Sequence, residues 1–362
     1  MEEKLEKEKK NLERKILKLA NNENVLIGIV VFLVLIIVLL SLNPTLINGL
    51  KGDGRYNIEA IKIEGCEDCF DLNLIAGLLE QENIDLKEKI LDYNSREAKA
   101  LTAKYNIEKI PALIVKGKVD RLNLDADVFR ISNSVAIFDK SVPYLDLKTE
   151  EKQGFVDLIE VYDSSCLDCS SLSNMKTSLE NAGVKANNYE KVEINSEKGK
   201  ALIKENSLTF LPSFLVSKNL KEYWWIFPKI ESIFLEREHF VFKNPTAPYK
   251  DIKTGEIKGK VTITYITNKS CTDCYDVALL KDLFRSTGIF IDKERHVDVS
   301  SGDGKNLIKE YNITAIPTAV LSKEVSDYNL KSILEQVGRF KNDEFVLTNL
   351  DSLNVKYQRI GG

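Results

Sequence analysis

Six cysteines occur in the 362 residues, and each belongs to a Cys-x-x-Cys pair: Cys66 with Cys69, Cys166 with Cys169, and Cys271 with Cys274. Two thiols with two residues between them can share one exchange reaction. One attacks a disulfide and the other resolves the mixed disulfide that results. No cysteine remains to staple distant segments, as a small secreted domain would require. A zinc site would need two more ligands per pair, and the only histidines, His239 and His296, lie far from the motifs in sequence. No metal centre and no cofactor are therefore expected. Cu(I), which accepts two thiolates, stays open as a cargo.

The pairs recur with other landmarks around them. Pro111, Pro212 and Pro317 follow the first cysteines by 45, 46 and 46 residues, in the contexts Ile110-Pro111, Leu211-Pro212 and Ile316-Pro317. Ser95, Ser196 and Ser301 each precede the proline by 16 residues, with a lysine four later and a leucine six later. The segments that read as linkers between units repeat too, PYLDLKT at 143–149 echoed by PYKDIKT at 248–254. Such coincidence indicates internal triplication.

Within one repeat, an apolar, β-branched run (155–162, 261–267) leads into the cysteine pair, which is expected to open a helix. A second strand follows (89–93, 191–194, 296–299). Next comes a helix with the serine as N-cap, its hydroxyl accepting an amide hydrogen of the first turn. The proline then starts an apolar strand (112–115, 213–216, 318–321). Alternating strands and helices with buried apolar strands predict an α/β layer fold with parallel central pairing.

A strand, a Cys-x-x-Cys pair at a helix start, and an apolar residue plus proline about 45 positions on resemble the thioredoxin superfamily, three times over across 55–355. The resemblance implies three tandem thioredoxin-like domains, each a central mixed sheet flanked by helices; an apolar run near the N-terminus adds one expected transmembrane helix before them. It implies that Ile110–Pro111, Leu211–Pro212 and Ile316–Pro317 are cis bonds lying against the cysteine pairs, where they would contact substrate. The first cysteine of each pair would be the nucleophile and the second the resolving thiol. A sulfur at a helix N-terminus gains from the positive end of the dipole, which favours thiolate.

The units differ in detail. Asp68, Asp168 and Asp273 precede the second cysteines, either as first-turn helix acids or as charges that oppose thiolate formation. Six residues before the first cysteine stand Ala60, Glu160 and Tyr265. The resemblance implies a buried proton acceptor there, which only Glu160 supplies, so the second unit is expected to exchange fastest. Trp224 and Trp225, the only tryptophans, are read as packing between domains or as an exposed pad for substrate or membrane.

Bulk properties fit this picture. A formal net charge of -4 leaves no reason to expect nucleic-acid binding. The run from Val25 to Leu42 is almost wholly apolar and spans about 27 Å as a helix, close to a bilayer core. Seven basic residues from Lys4 to Lys18 precede it and only Lys51 and Arg55 follow closely, which places the N-terminus in the cytoplasm and the bulk outside. The expected organisation is a charged cytoplasmic helix at 1–24, an anchor at 25–43, and domains at 55–142, 151–247 and 258–355. Two functions remain open. One is a single-pass, membrane-anchored thiol–disulfide oxidoreductase of the isomerase or reductase type, taking protein thiols or disulfides as substrates and a membrane redox partner. The other is an extracytoplasmic scaffold or holdase whose disulfides are inert.

Overall fold

The structure, a computed structural model, describes residues 56–79 and 84–360. The charged segment and apolar run expected at 1–43 lie outside the described residues. Among the described residues no helix is long and apolar enough to cross a membrane.

Three five-stranded mixed sheets repeat one topology. In unit one the order across the sheet is Ile84–Asp92, Tyr56–Glu64, Ala112–Gly117, Val135–Phe138, Arg130–Ser132. Unit two uses Ala186–Glu193, Val156–Tyr162, Ser213–Val216, Phe240–Phe242 and Phe234–Glu236 in the same order. Unit three uses Ile291–Asp298, Val261–Thr267, Thr318–Leu321, Glu344–Leu347 and Gly338–Lys341. Only the first two strands of each order run parallel; the other neighbours are antiparallel.

Strand periodicity builds the core on both sheet faces. In Tyr56–Glu64, Ile58 and Ala60 belong to one apolar cluster, while Ile61 and Ile63 belong to the cluster on the opposite face. Each fully buried isoleucine is worth about 1.5–3 kcal/mol of transfer free energy. Units two and three divide their cores in the same way.

The serine caps form as expected. Ser95 Oγ accepts from Ala98 N at 3.2 Å, Ser196 Oγ from Gly199 N at 2.9 Å, and Ser301 Oγ from Gly304 N at 3.0 Å. These caps open the helices Arg96–Tyr105, Glu197–Asn206 and Gly302–Tyr311. Each helix ends on a left-handed residue, Asn106, Ser207 or Asn312, which turns the chain toward the proline.

The segments read from sequence as linkers are strands. Tyr144–Asp146 pairs antiparallel with Lys109–Ile110, the residues just before Pro111. Tyr249–Asp251 does the same with Phe210–Leu211, and Gln358–Arg359 with Ala315–Ile316. Each unit is thus strapped by the chain that leaves it. Two of the straps continue into Lys152–Gln153 and Ile257–Lys258 and then reach Gly154 and Gly259. Both glycines have positive φ, and a Cβ at Gly259 would stand 2.5 Å from Ala247 Cβ.

Candidate active site

Each cysteine pair sits in the turn that leaves the central strand, with its sulfurs joined and Cα–Cα distances of 5.5, 5.4 and 5.6 Å. The pairs do not open helices. The following helices begin four residues beyond the second cysteine, at Asn73, Ser173 and Ala278. Three features hold the helix off. Asp68 adopts a left-handed φ of 65° inside the first motif. Side chains two residues past the second cysteine bond the first helical amide: Asp71 to Asn73 N at 2.9 Å, Ser171 to Ser173 N at 3.3 Å, Asp276 to Ala278 N at 2.9 Å. The amide that follows each second cysteine bonds the strap: Phe70 N to Pro143 O at 3.0 Å, Ser170 N to Pro248 O at 2.8 Å, Tyr275 N to Lys356 O at 3.0 Å. The helix-dipole argument for thiolate therefore does not apply in the form expected.

The sulfurs differ in exposure. Cys69 and Cys166 are each 8% exposed, whereas Cys66, Cys169, Cys271 and Cys274 are half-buried. In unit two the first cysteine is thus the more covered of its pair.

The prolines are cis as the resemblance implies, and in units two and three the residue before them lies against the second cysteine. Ile110–Pro111, Leu211–Pro212 and Ile316–Pro317 are cis, and so are Val142–Pro143 and Ala247–Pro248 at the starts of the straps. Cys169 Sγ lies 3.7 Å from the Leu211 carbonyl oxygen and Cys274 Sγ 3.9 Å from that of Ile316. The apolar residue before each proline meets the strap through its backbone, in register with Leu145, Lys250 or Gln358.

Side chains tighten the straps. Lys152 Nζ donates to the Glu67 carbonyl at 2.7 Å, inside the first motif. Lys250 bonds the Asp163 carboxylate, three residues before Cys166. Burial pushes the Asp163 carboxyl up, but hydrogen bonds from Lys250 and Ser165 outweigh it and hold the group below the ordinary aspartate value. Over the third pair a groove of about 320 Å³ is lined by Cys271, Asp273, Cys274, Val355, Lys356 and Tyr357.

The face beneath each pair is built differently in each unit. Glu160 is 2% exposed. Its carboxylate accepts from the Tyr189 hydroxyl, from Lys191 Nζ at 3.2 Å and from Leu172 N at 3.4 Å. None of these partners is a cysteine; Leu172 stands three residues past Cys169. Burial, then the bond to Glu160, pushes the Tyr189 phenol upward. Tyr265 is wholly buried, donates to Glu294 at 3.1 Å and stacks on His296 at 4.7 Å. Ala60 brings no polar group. Two residues on, Lys62 supplies one instead, with Nζ 2.9 Å from Asn73 Oδ1 and 3.0 Å from Glu88 Oε2. Sequence reading missed Lys62, Tyr189 and Lys191. A lysine in the apolar strand around Ile61 and Ile63, on the same face as Ala60, was the available signal.

The three motif aspartates are not equivalent. Asp168 is bonded by Lys260 at 2.8 Å, and Lys260 also holds Asp292 at 3.0 Å. Asp273 borders the groove of unit three. The tryptophans are packing groups between units. Trp224 Nε1 donates to Lys140 O at 3.0 Å, and the Trp225 ring meets Phe70, the neighbour of Cys69, at 5.6 Å. Both pack on the core of unit one. Among the described residues no group of three or more His, Cys, Asp or Glu side chains gathers as a metal cage.

Sheet order, cysteine pair and cis proline coincide in all three units. This is the arrangement that the resemblance to the thioredoxin superfamily implies. No family model matches the chain, and no curated protein matches it. Among solved structures, the chain is similar to the NTD_N/C domain of the alkylhydroperoxide reductase AhpF from Enterococcus faecalis at 13% identity and a TM-score of 0.14, over 74% of this chain and 83% of that one. It is similar to full-length ERdj5 at 10% identity and a TM-score of 0.14, over 87% of this chain and 44% of that one. Human ERp44 in a zinc-bound form aligns at 12% identity and a TM-score of 0.13, over 78% of this chain and 85% of that one.

Proposed function

We propose that the protein is a membrane-anchored, extracytoplasmic thiol–disulfide oxidoreductase of the isomerase or reductase type, acting on protein thiols and disulfides. The observation that carries the reading is the threefold recurrence of a closed Cys-x-x-Cys disulfide and a cis proline on one sheet topology, with the second sulfur against the residue before that proline in units two and three. In the reducing direction, the thiolate of Cys66, Cys166 or Cys271 attacks one sulfur of a substrate disulfide. A bond forms between the two sulfurs, and the other substrate sulfur leaves as thiolate. Cys69, Cys169 or Cys274 then loses its proton and attacks the first cysteine, closing the pair and releasing the second substrate thiolate. Two electrons pass to the substrate, and the pair gives up two protons to solvent or to nearby bases. The oxidising direction is the same sequence reversed. Ile110, Pro111, Leu211, Pro212, Ile316 and Pro317 would position the substrate strand beside the sulfurs.

Membrane attachment through Val25–Leu42 and the outward orientation rest on the apolar run and on the excess of basic residues before it. Protease added to intact cells should digest the three units; protection that persists until the membrane is permeabilised would reverse the orientation.

One observation favours the second reading, a scaffold with inert disulfides. The strand edge before each proline is already occupied by a strap. Insulin reduction separates the two. An oxidoreductase turns over with excess dithiothreitol or glutathione, and a variant with all six cysteines changed to serine does not. Equal rates for both proteins would leave the scaffold.

A further inference from the structure

Two ion pairs, each with its buried member on the strand that leads into a cysteine pair, have opposite polarity. In unit one the central strand supplies the cation: Lys62 is 4% exposed in its side chain, and its partner Glu88, on the neighbouring parallel strand, is 41% exposed. In unit two the central strand supplies the anion: Glu160 is 3% exposed in its side chain, and its partner Lys191, again on the neighbouring strand, is 47% exposed. Unit three has Tyr265 at this level, bonded to Glu294.

Burial decides which member of each pair is felt inside. Water screens a half-exposed charge strongly and a buried one weakly. The less screened charge is therefore the Lys62 ammonium in unit one and the Glu160 carboxylate in unit two. Lys62 is also tied to the dithiol loop from both sides. It stands four residues before Cys66, and its Nζ bonds Asn73, four residues after Cys69.

We propose that Lys62 is a positioning residue that stabilises the reduced, thiolate form of the Cys66–Cys69 pair, so that units one and two are poised in opposite senses. The inference deepens the oxidoreductase reading and rests on it for its purpose, though not for its measurement. Reduction of a disulfide takes up two electrons and either two protons, giving the dithiol, or one proton, giving the thiol–thiolate. A nearby cation favours the second product and so draws the equilibrium toward the reduced pair; a buried anion does the reverse. Unit one is then the stronger electron acceptor and unit two the stronger donor. Transfer between them would oxidise the two thiols of Cys166 and Cys169 to a disulfide and reduce the disulfide of Cys66 and Cys69.

Other charges face the first pair: Glu67 and Asp68 within the loop, Asp92 at the end of the neighbouring strand and Lys152 on the strap. Unit two has Asp163, Asp168, Glu193, Lys250 and Lys260 around its own pair. Substitutions within one unit hold these constant, so they isolate the buried groups.

The test uses the full chain with the four cysteines of the other two units changed to serine, equilibrated in glutathione redox buffers and read by maleimide mass shift. Unit one should be half-reduced in a more oxidising buffer than unit two. Lys62→Met should move the unit-one equilibrium toward the disulfide by about tenfold, the low end of a single nearby charge. Lys62→Arg should restore it. Glu88→Gln, which removes the counter-charge without changing shape, should move it the other way and carries the test if Lys62→Met does not fold. Glu160→Gln should shift unit two toward the dithiol. Equal constants for the two units, or no response to Glu88→Gln and Lys62→Met, would overturn the proposal. Because the readout is an equilibrium, a protein without insulin turnover could still show the shifts, which would sink the oxidoreductase reading and keep the role of Lys62.

Discussion

Lys260 Nζ stands 2.8 Å from Asp168 Oδ2, so the residue that leads into the third unit holds the acid inside the second unit's Cys-x-x-Cys loop. The same ammonium reaches Asp292 at 3.0 Å, and the bonds to Asp168 and Asp292 raise its own pKa. Of the three motif aspartates, Asp168 thus has its charge compensated by a neighbouring unit. Removing the lysine should expose Cys166 to that charge. Lys260→Ala is expected to slow alkylation of Cys166 at neutral pH by up to about fivefold, the scale of a solvent-accessible ion pair. Asp168→Asn in the same chain should restore the rate. A slow double variant would mean that Lys260 acts by packing alone.

The straps predict a steric effect on reactivity. A side chain at Gly259 meets Ala247 and a strained φ, at a cost of about 1–3 kcal/mol. Gly259→Val should loosen the segment that bonds Ser170 N through Pro248 and so speed dithiothreitol reduction of Cys166–Cys169. The disulfide of unit one should react as before. Unchanged kinetics in unit two would show that the strap does not limit access.

Asp163 gives a pH dependence of known sign. Its carboxyl is held below the ordinary value in the folded chain. A depressed carboxylate stabilises the fold fully above its unfolded pKa of about 3.9 and loses that contribution as pH falls through the folded value. Asp163→Asn should therefore lower the thermal midpoint at pH 6, and the gap to the parent chain should close as pH falls below about 4. A constant gap from pH 6 to pH 3 would contradict the assigned role of the Asp163–Lys250 pair.

Glu160 is expected to take the proton of Cys169 through solvent or a shift of the loop, since its direct partners are Tyr189, Lys191 and Leu172. Glu160→Ala should slow release of mixed disulfides at Cys166 by roughly 10²-fold, the low end of general-base effects. Units one and three, which have no buried carboxylate at this position, should release mixed disulfides more slowly than unit two and respond less to changes at Ala60 and Tyr265. Stopped-flow exchange on chains that retain one pair each measures both; equal rates with no loss in Glu160→Ala would leave Glu160 a structural acid.

Much of this was legible in the sequence because it is local or repeated. The serine caps and the alternation of strands and helices follow from short-range signals multiplied by three, and the cis prolines from the resemblance that those signals carry. The placement of the cysteines before the helix was not legible. It depends on Asp71, Ser171 and Asp276 competing for the first helical amides, and on straps more than 70 residues away taking the amides of Phe70, Ser170 and Tyr275. The straps themselves read as linkers because PYLDLKT and PYKDIKT carry no alternation strong enough to mark a strand. Lys62 and Lys260 escaped notice because their meaning lies in a partner from another element, Glu88 and Asp168.

The central claim is that each pair exchanges disulfides with protein substrates through its first cysteine. Trapping tests it directly: in chains that retain one pair each, Cys69→Ser, Cys169→Ser and Cys274→Ser are incubated with disulfide-bonded insulin and read by mass spectrometry without reductant. The account predicts stable mixed disulfides at Cys66, Cys166 and Cys271, and little adduct in the reciprocal variants that keep only Cys69, Cys169 or Cys274. Absence of adducts in all three, or adducts formed only through the second cysteines, would contradict it.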